Sequence, residues 1–141
     1  MEKSEWEIAW SEFLAVGVPE MDEEHRRFSA RVNDVNKAIA EAEDKATVER
    51  LMDLMLMDAT HHFWHEQQLL DKWKYPEAKQ HAEKHAQLTA QFTRAMKEFQ
   101  EADISYVWAM KGLQIKQLLV AHLLHEDMKY KDFLRMRQGL C

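Results

Sequence analysis

Four long stretches of the chain carry apolar residues three or four positions apart, the spacing that lines up one face of an α-helix. His25, Phe28, Val32, Val35 and Ile39 make the first stripe, and Met52, Met55, Ala59, His62, Glu66, Leu69 and Trp73 the second. The third runs through Ala78, His81, His85, Leu88, Phe92, Ala95 and Phe99. The fourth takes in Trp108, Ile115, Leu119, His122, Leu123, Asp127, Tyr130 and Leu134. Asp22 is a suitable N-cap for the first helix, and residues 41–46 read as a turn before a second helix from about Thr47. Lys74-Tyr75-Pro76 breaks the second from the third, with the proline suited to the start of the next helix. Ala102-Asp103 marks the last turn, and the fourth helix begins near Ile104 or Ser105 and reaches the mid-130s.

Helices joined by such short turns predict an all-α fold, an antiparallel up-down-up-down four-helix bundle. Residues 1–19, with Trp6, Ile8, Trp10, Phe13 and Val16 ahead of Gly17-Val18-Pro19, read as an N-terminal arm strapped across it. The bundle spans 20–135 and a tail 136–141, in a single domain. Composition agrees: of 141 residues only 3 are Gly and 2 Pro, too few breakers for a fold built on turns.

The net charge of −6 comes from 19 basic against 25 acidic residues with no basic block, which argues against a nucleic-acid partner. No leader-like apolar segment follows Met1, and no apolar run nears the roughly 20 residues of a membrane span. The single cysteine, Cys141, allows no intrachain disulfide. A cytoplasmic monomer without nucleic-acid or membrane partners is the expectation. The nine methionines read as core filler.

What does not fit a plain bundle is the polarity inside the stripes. His25, His62, Glu66, His81, His85 and His122 all fall on inward faces, with an acid just beyond His122 that helical spacing leaves open between Glu126 and Asp127. His61 and His65 also stand four apart, but their stripe (Leu54, Asp58, His61, His65, Gln68, Lys72) is mostly polar and belongs to solvent. Five imidazoles and two carboxylates in a core are costly without a compensating ion. Donors without thiolate suit iron, zinc, copper or manganese, and seven are too many for one ion. If both carboxylates bridge two ions that also share a solvent-derived oxo or hydroxo group, the histidines divide three and two. One ion is then left with an open position for a small ligand such as dioxygen.

These residues carry a resemblance. Trp10, the run Gly17-Val18-Pro19-Glu20-Met21-Asp22-Glu23-Glu24-His25, His62-Phe63-x-x-Glu66, Tyr75-Pro76, His81-x-x-x-His85, and His122 with Asp127 five residues on, are together similar to the hemerythrins, the bacterial single-domain kind above all. The resemblance implies a non-haem diiron centre, oxo- or hydroxo-bridged, that binds dioxygen reversibly for transport, storage or sensing. It implies that His81, His85 and His122 ligate the filled iron, that His25 and His62 ligate the open one, and that Glu66 and Asp127 bridge. No catalytic residue is expected; diiron oxidase, peroxidase or nitric-oxide and peroxide detoxification on the same scaffold is the alternative. Phe28, Phe63, Leu119 and Leu123 are candidates to keep the site dry. One departure is Leu118, where the family often has tryptophan, with Trp64, Trp73 and Trp108 as candidates to fill that volume. His125 reads either as a group behind the ligands or as a solvated histidine.

Overall fold

A computed structural model describes residues 2–137; Cys141 and most of the tail lie outside them. Four long helical rods form the bundle: α2 (Pro19–Ala40), α3 (Lys45–Lys72), α4 (Ala78–Glu101), and a fourth made of α5 (Ser105–His122), a π-helical turn (Leu123–Asp127) and α6 (Met128–Arg137). Each rod packs on its chain neighbour, and α5 closes the ring against α2. No strand occurs among the described residues. The predicted stripes are the buried faces, with one change near the end of α3, where Leu70 is fully buried and Leu69 only partly.

The helix boundaries show what starts each rod. α2 begins at Pro19, earlier than the Asp22 cap predicts, because proline suits a first turn whose N–H groups lack partners. Asp22 is used differently: its carboxylate accepts from the N–H of Val16 at 2.7 Å and of Gly17 at 3.2 Å, pinning the arm to the helix. Gly17 holds a φ of +85°, which a side chain would resist. Asp44 caps α3, accepting from Thr47 N–H at 2.8 Å. Pro76 does not open α4 but sits in the turn before it, and the helix starts at Ala78.

The arm is an ordered strap with one short helix, α1 (Lys3–Trp6), and a 3₁₀ turn at Glu12–Leu14. Asn33 stands in for a neighbouring strand, accepting from Ile8 N–H at 2.7 Å and donating to Ile8 C=O at 2.9 Å. Trp6, Ile8, Leu14 and Val16 are buried, while Phe13, expected to pack, is 78% exposed.

Two apolar clusters fill the interior. The larger includes Phe28, Ala59, Phe63, Leu88, Leu119 and Leu123; the smaller is Val16, Met21, Leu70, Tyr75 and Tyr130. Most of the polar inward residues fall between them: His25 lies between Met21 and Phe28, Glu66 between Phe63 and Leu70, Asp127 between Leu123 and Tyr130. The bundle therefore sandwiches one polar layer between two apolar plugs.

Candidate metal centre

All seven residues singled out from the sequence meet in that layer, and all are buried, with Glu66 and Asp127 fully so. Their donor atoms form two groups small enough to surround an ion. One is His25, His62 and Glu66; the other is Glu66, His81, His85, His122 and Asp127.

The two carboxylates span these groups. Oε2 of Glu66 lies 3.1 Å from His25 Nε2 and 3.4 Å from His62 Nε2, while Oε1 lies 2.9 Å from His85 Nε2. Asp127 does the same in mirror order: Oδ1 is 2.8 Å from His81 Nε2 and 3.2 Å from His122 Nε2, and Oδ2 is 3.2 Å from His25 Nε2. Each acid thus turns one oxygen to each set of histidines. Simple helical spacing favours Glu126 at four residues from His122 as readily as it does Asp127 at five. The π turn decides it, because its wider coil brings position i+5 back under position i. Glu126 points outward and pairs with Lys129 at 3.3 Å.

Behind the donors stand groups that hold them. Glu24 receives the Nδ1–H of His62 at 2.8 Å and of His65 at 2.5 Å, one oxygen to each. The hydroxyl of Tyr130 donates to Glu66 Oε2 at 2.7 Å. Phe63 lies flat on the His85 ring, centroids 4.2 Å apart, and meets Phe28 edge-on. Phe28, Phe63, Leu119 and Leu123 are all buried and wall the layer on the side of the larger cluster.

The layer asks for positive charge. Burial works against a charged His62, but the charge of Glu66 and hydrogen bonds with Glu24 and Glu66 outweigh it and push its pKa up to about 10. His122 is likewise raised against burial by Asp127, whereas burial pushes His85 down. Burial opposes ionised Glu66, yet the charge of His62 and hydrogen bonds from three histidines hold it well below the usual carboxylate range. Asp127 is held low in the same way by His122 and His81, against burial and the charge of Glu66. Burial, Glu66 and Asp127 raise Tyr130, so that it remains a hydroxyl donor.

Several contacts in the layer fall short of hydrogen bonds. His25 Nδ1, His81 Nδ1, His122 Nε2 and Asp127 Oδ2 are buried without a hydrogen-bond partner, although the last two lie 3.2 Å from opposite groups. Donors that crowd together without aligning toward one another converge on a shared point. Unpartnered buried polar atoms are expensive, and cations between the groups would relieve the last two directly. The residues present fit metal ions held by imidazole and carboxylate.

Outside the cluster the sequence reading needs correction. His61 is exposed as expected, but His65 is only partly so and is tied to Glu24. Glu24 and Tyr130 were not singled out, since neither contact follows from a helical period. Trp64 is 59% exposed, its ring stacked along His61. Trp108 packs on Phe99 and Trp73 near Tyr130. His125 is exposed.

The model of the family described as Hemerythrin HHE cation binding domain matches residues 16–134. Proteins named hemerythrin-like from Naegleria gruberi and Naegleria fowleri are each 31% identical over 127 residues, covering 89% of this chain and 92% of theirs. With the bundle, the buried donor layer and this match in agreement, the chain belongs to the hemerythrin family.

Proposed function

We propose that the chain binds dioxygen reversibly at two irons, His25 and His62 holding one, His81, His85 and His122 the other, and Glu66 and Asp127 bridging. The supporting observation is the uneven division of donors, two imidazoles against three, around carboxylates that reach both sides. Under equal coordination the His25 and His62 side is one donor short. When bound, the paired irons supply two one-electron reducing equivalents beside that open position.

The rest is the work of the chain's own residues. Glu24 fixes the tautomer and orientation of His62. Phe28, Phe63, Leu119 and Leu123 exclude water, which protects a reduced centre from unwanted proton and electron loss. Release is favoured over turnover because no Glu-x-x-His pair, the ligand pattern of ferritin-like diiron proteins, occurs in the sequence. The cavity that touches the layer, beside His81, Tyr75 and Glu126, measures about 10 Å³, too small for an organic substrate. No described helix is long and apolar enough to cross a membrane, and oxygen transport, storage or sensing in the cytoplasm completes the proposal.

Iron-loaded protein should contain about two irons per chain. After anaerobic reduction it should gain a visible ligand-to-metal charge-transfer band in air and lose it under vacuum, over repeated cycles. A single tightly bound zinc would overturn the diiron assignment. Irreversible oxidation with peroxide release or substrate turnover would replace the carrier with an oxidase.

A further inference from the structure

The outward stripe of α3 holds a second histidine pair, His61 and His65, one helical turn apart. That spacing sets two imidazoles on one face, the arrangement by which helices grip zinc. His65 is already oriented for such a role. Its Nδ1–H is given to Glu24 at 2.5 Å. A carboxylate on one ring nitrogen fixes the tautomer and leaves the other nitrogen as a bare lone pair, the pattern found behind metal-ligating histidines.

That second nitrogen, His65 Nε2, faces Glu20 Oε2 at 3.8 Å, too far for a hydrogen bond. Two donors about 2.1 Å from one tetrahedral ion stand about 3.4 Å apart, so a shift of a few tenths of an ångström admits an ion between them. The side chains of His65 and Glu20 are 28% and 55% exposed, which leaves the gap open to solvent. His61 is exposed with its ring along Trp64, and leaving that contact makes it available as a third donor.

We propose that Glu20, His65 and His61, with water as the fourth ligand, form an outer site for one divalent transition-metal ion such as Zn²⁺. It is separate from the buried layer and joined to it through Glu24, which holds His65 with one oxygen and His62 with the other. The site does not depend on which metal fills the interior.

The test is equilibrium dialysis of iron-loaded protein against Zn²⁺, with iron and zinc counted in the same samples. Total metal should rise by about one ion per chain, a count that simple displacement of iron cannot change. The added ion should be lost in His65→Ala and bound at least about tenfold more weakly in Glu20→Gln, because a neutral amide is a poorer ligand than a carboxylate, with iron content equal in all three proteins. Glu20 is exposed, so its variant carries no folding defect to confuse the result. No added zinc, or an added zinc that binds equally in either variant, overturns the outer site; a shortfall of iron in the parent protein instead counts against the buried diiron reading.

Discussion

Tyr130 and Glu66, 64 residues apart in sequence, form a fully buried pair in which the phenol donates to the carboxylate at 2.7 Å. The donor satisfies the oxygen that faces His25 and His62 and so holds the Glu66 side chain in its spanning orientation. Tyr130→Phe keeps the ring and removes the donor. A hydrogen bond to a charged group contributes about 1.5–3 kcal/mol, so metal-free protein should lose that much in urea denaturation. Affinity for the ions should fall about tenfold. Unchanged stability would mean that Glu66 finds another partner.

Asp127→Asn should empty at least one metal position, whereas Glu126→Gln should leave metal content unchanged. The π turn sends Asp127 into the layer and Glu126 toward Lys129. Metal analysis of the two variants decides between them, and the reverse result would show that the last rod is a regular α-helix.

Glu24→Gln should weaken metal binding about 10- to 100-fold, the usual range for a group that orients a histidine ligand. The amide still fills the space, but its single oxygen accepts from only one of the two rings, without a charge, and its NH2 faces the other. Competition with a chelator measures the change; equal affinity would mean that packing alone aligns His62.

The pH response should differ in sign between metal-free and loaded protein. His62 rises from 6.5 to about 10 on folding, so its proton is held more tightly in the folded state. That contribution to stability is fully present below pH 6.5 and lost as pH climbs through 10. Metal-free protein should therefore show a lower denaturation midpoint at pH 10 than at pH 7. Metal affinity should instead increase over this range, because an ion needs His62 without its proton. A metal-free midpoint that rises toward pH 10 would contradict the pairing of His62 with Glu66.

Gly112→Ala tests the seam between α2 and α5. Alanine ordinarily favours a helix over glycine by about 1 kcal/mol, yet here its Cβ would overlap the Asn36 Oδ1 atom. Asn36 is buried, and its amide donates to Gly112 C=O at 3.2 Å and Trp6 C=O at 3.3 Å, so it cannot swing clear. The variant should lose about 1–3 kcal/mol and loosen the arm, read as faster proteolysis near Trp6. A gain in stability would show that the seam has slack.

The four rods and six of the seven donors were legible because burial imposes a period, and His25, His62, Glu66, His81, His85 and His122 keep that period in place of apolar residues. Asp127 was legible only through family resemblance, since a π turn has no mark in a pattern read at 3.6 residues per turn. Glu24 and Tyr130 act across helices, and contacts between rods depend on relative rotation that periodicity does not specify. The polar stripe correctly put His61 in solvent but misread His65, because an adjacent rod supplied a carboxylate that makes partial burial favourable. Phe13 shows the converse: an aromatic in an arm can face water when its neighbour Leu14 takes the inward place.

The π turn acts on more than one carboxylate. One surplus residue offsets everything downstream by about 100° in azimuth, so α5 and α6 are two segments of different phase along one axis. Without the offset, the residues that seat Tyr130 against Glu66 would come round on another side of the rod. Deleting Leu124 alone would remove the surplus residue and restore an unbroken helix in which Asp127 and Tyr130 follow His122 at the i+4 and i+7 positions, both still on its inward face, whereas straightening the turn with every residue kept would swing both away. The last rod is thus indexed to the metal layer by its phase, and the register between His122 and Tyr130 is as much a part of the site as any side chain in it.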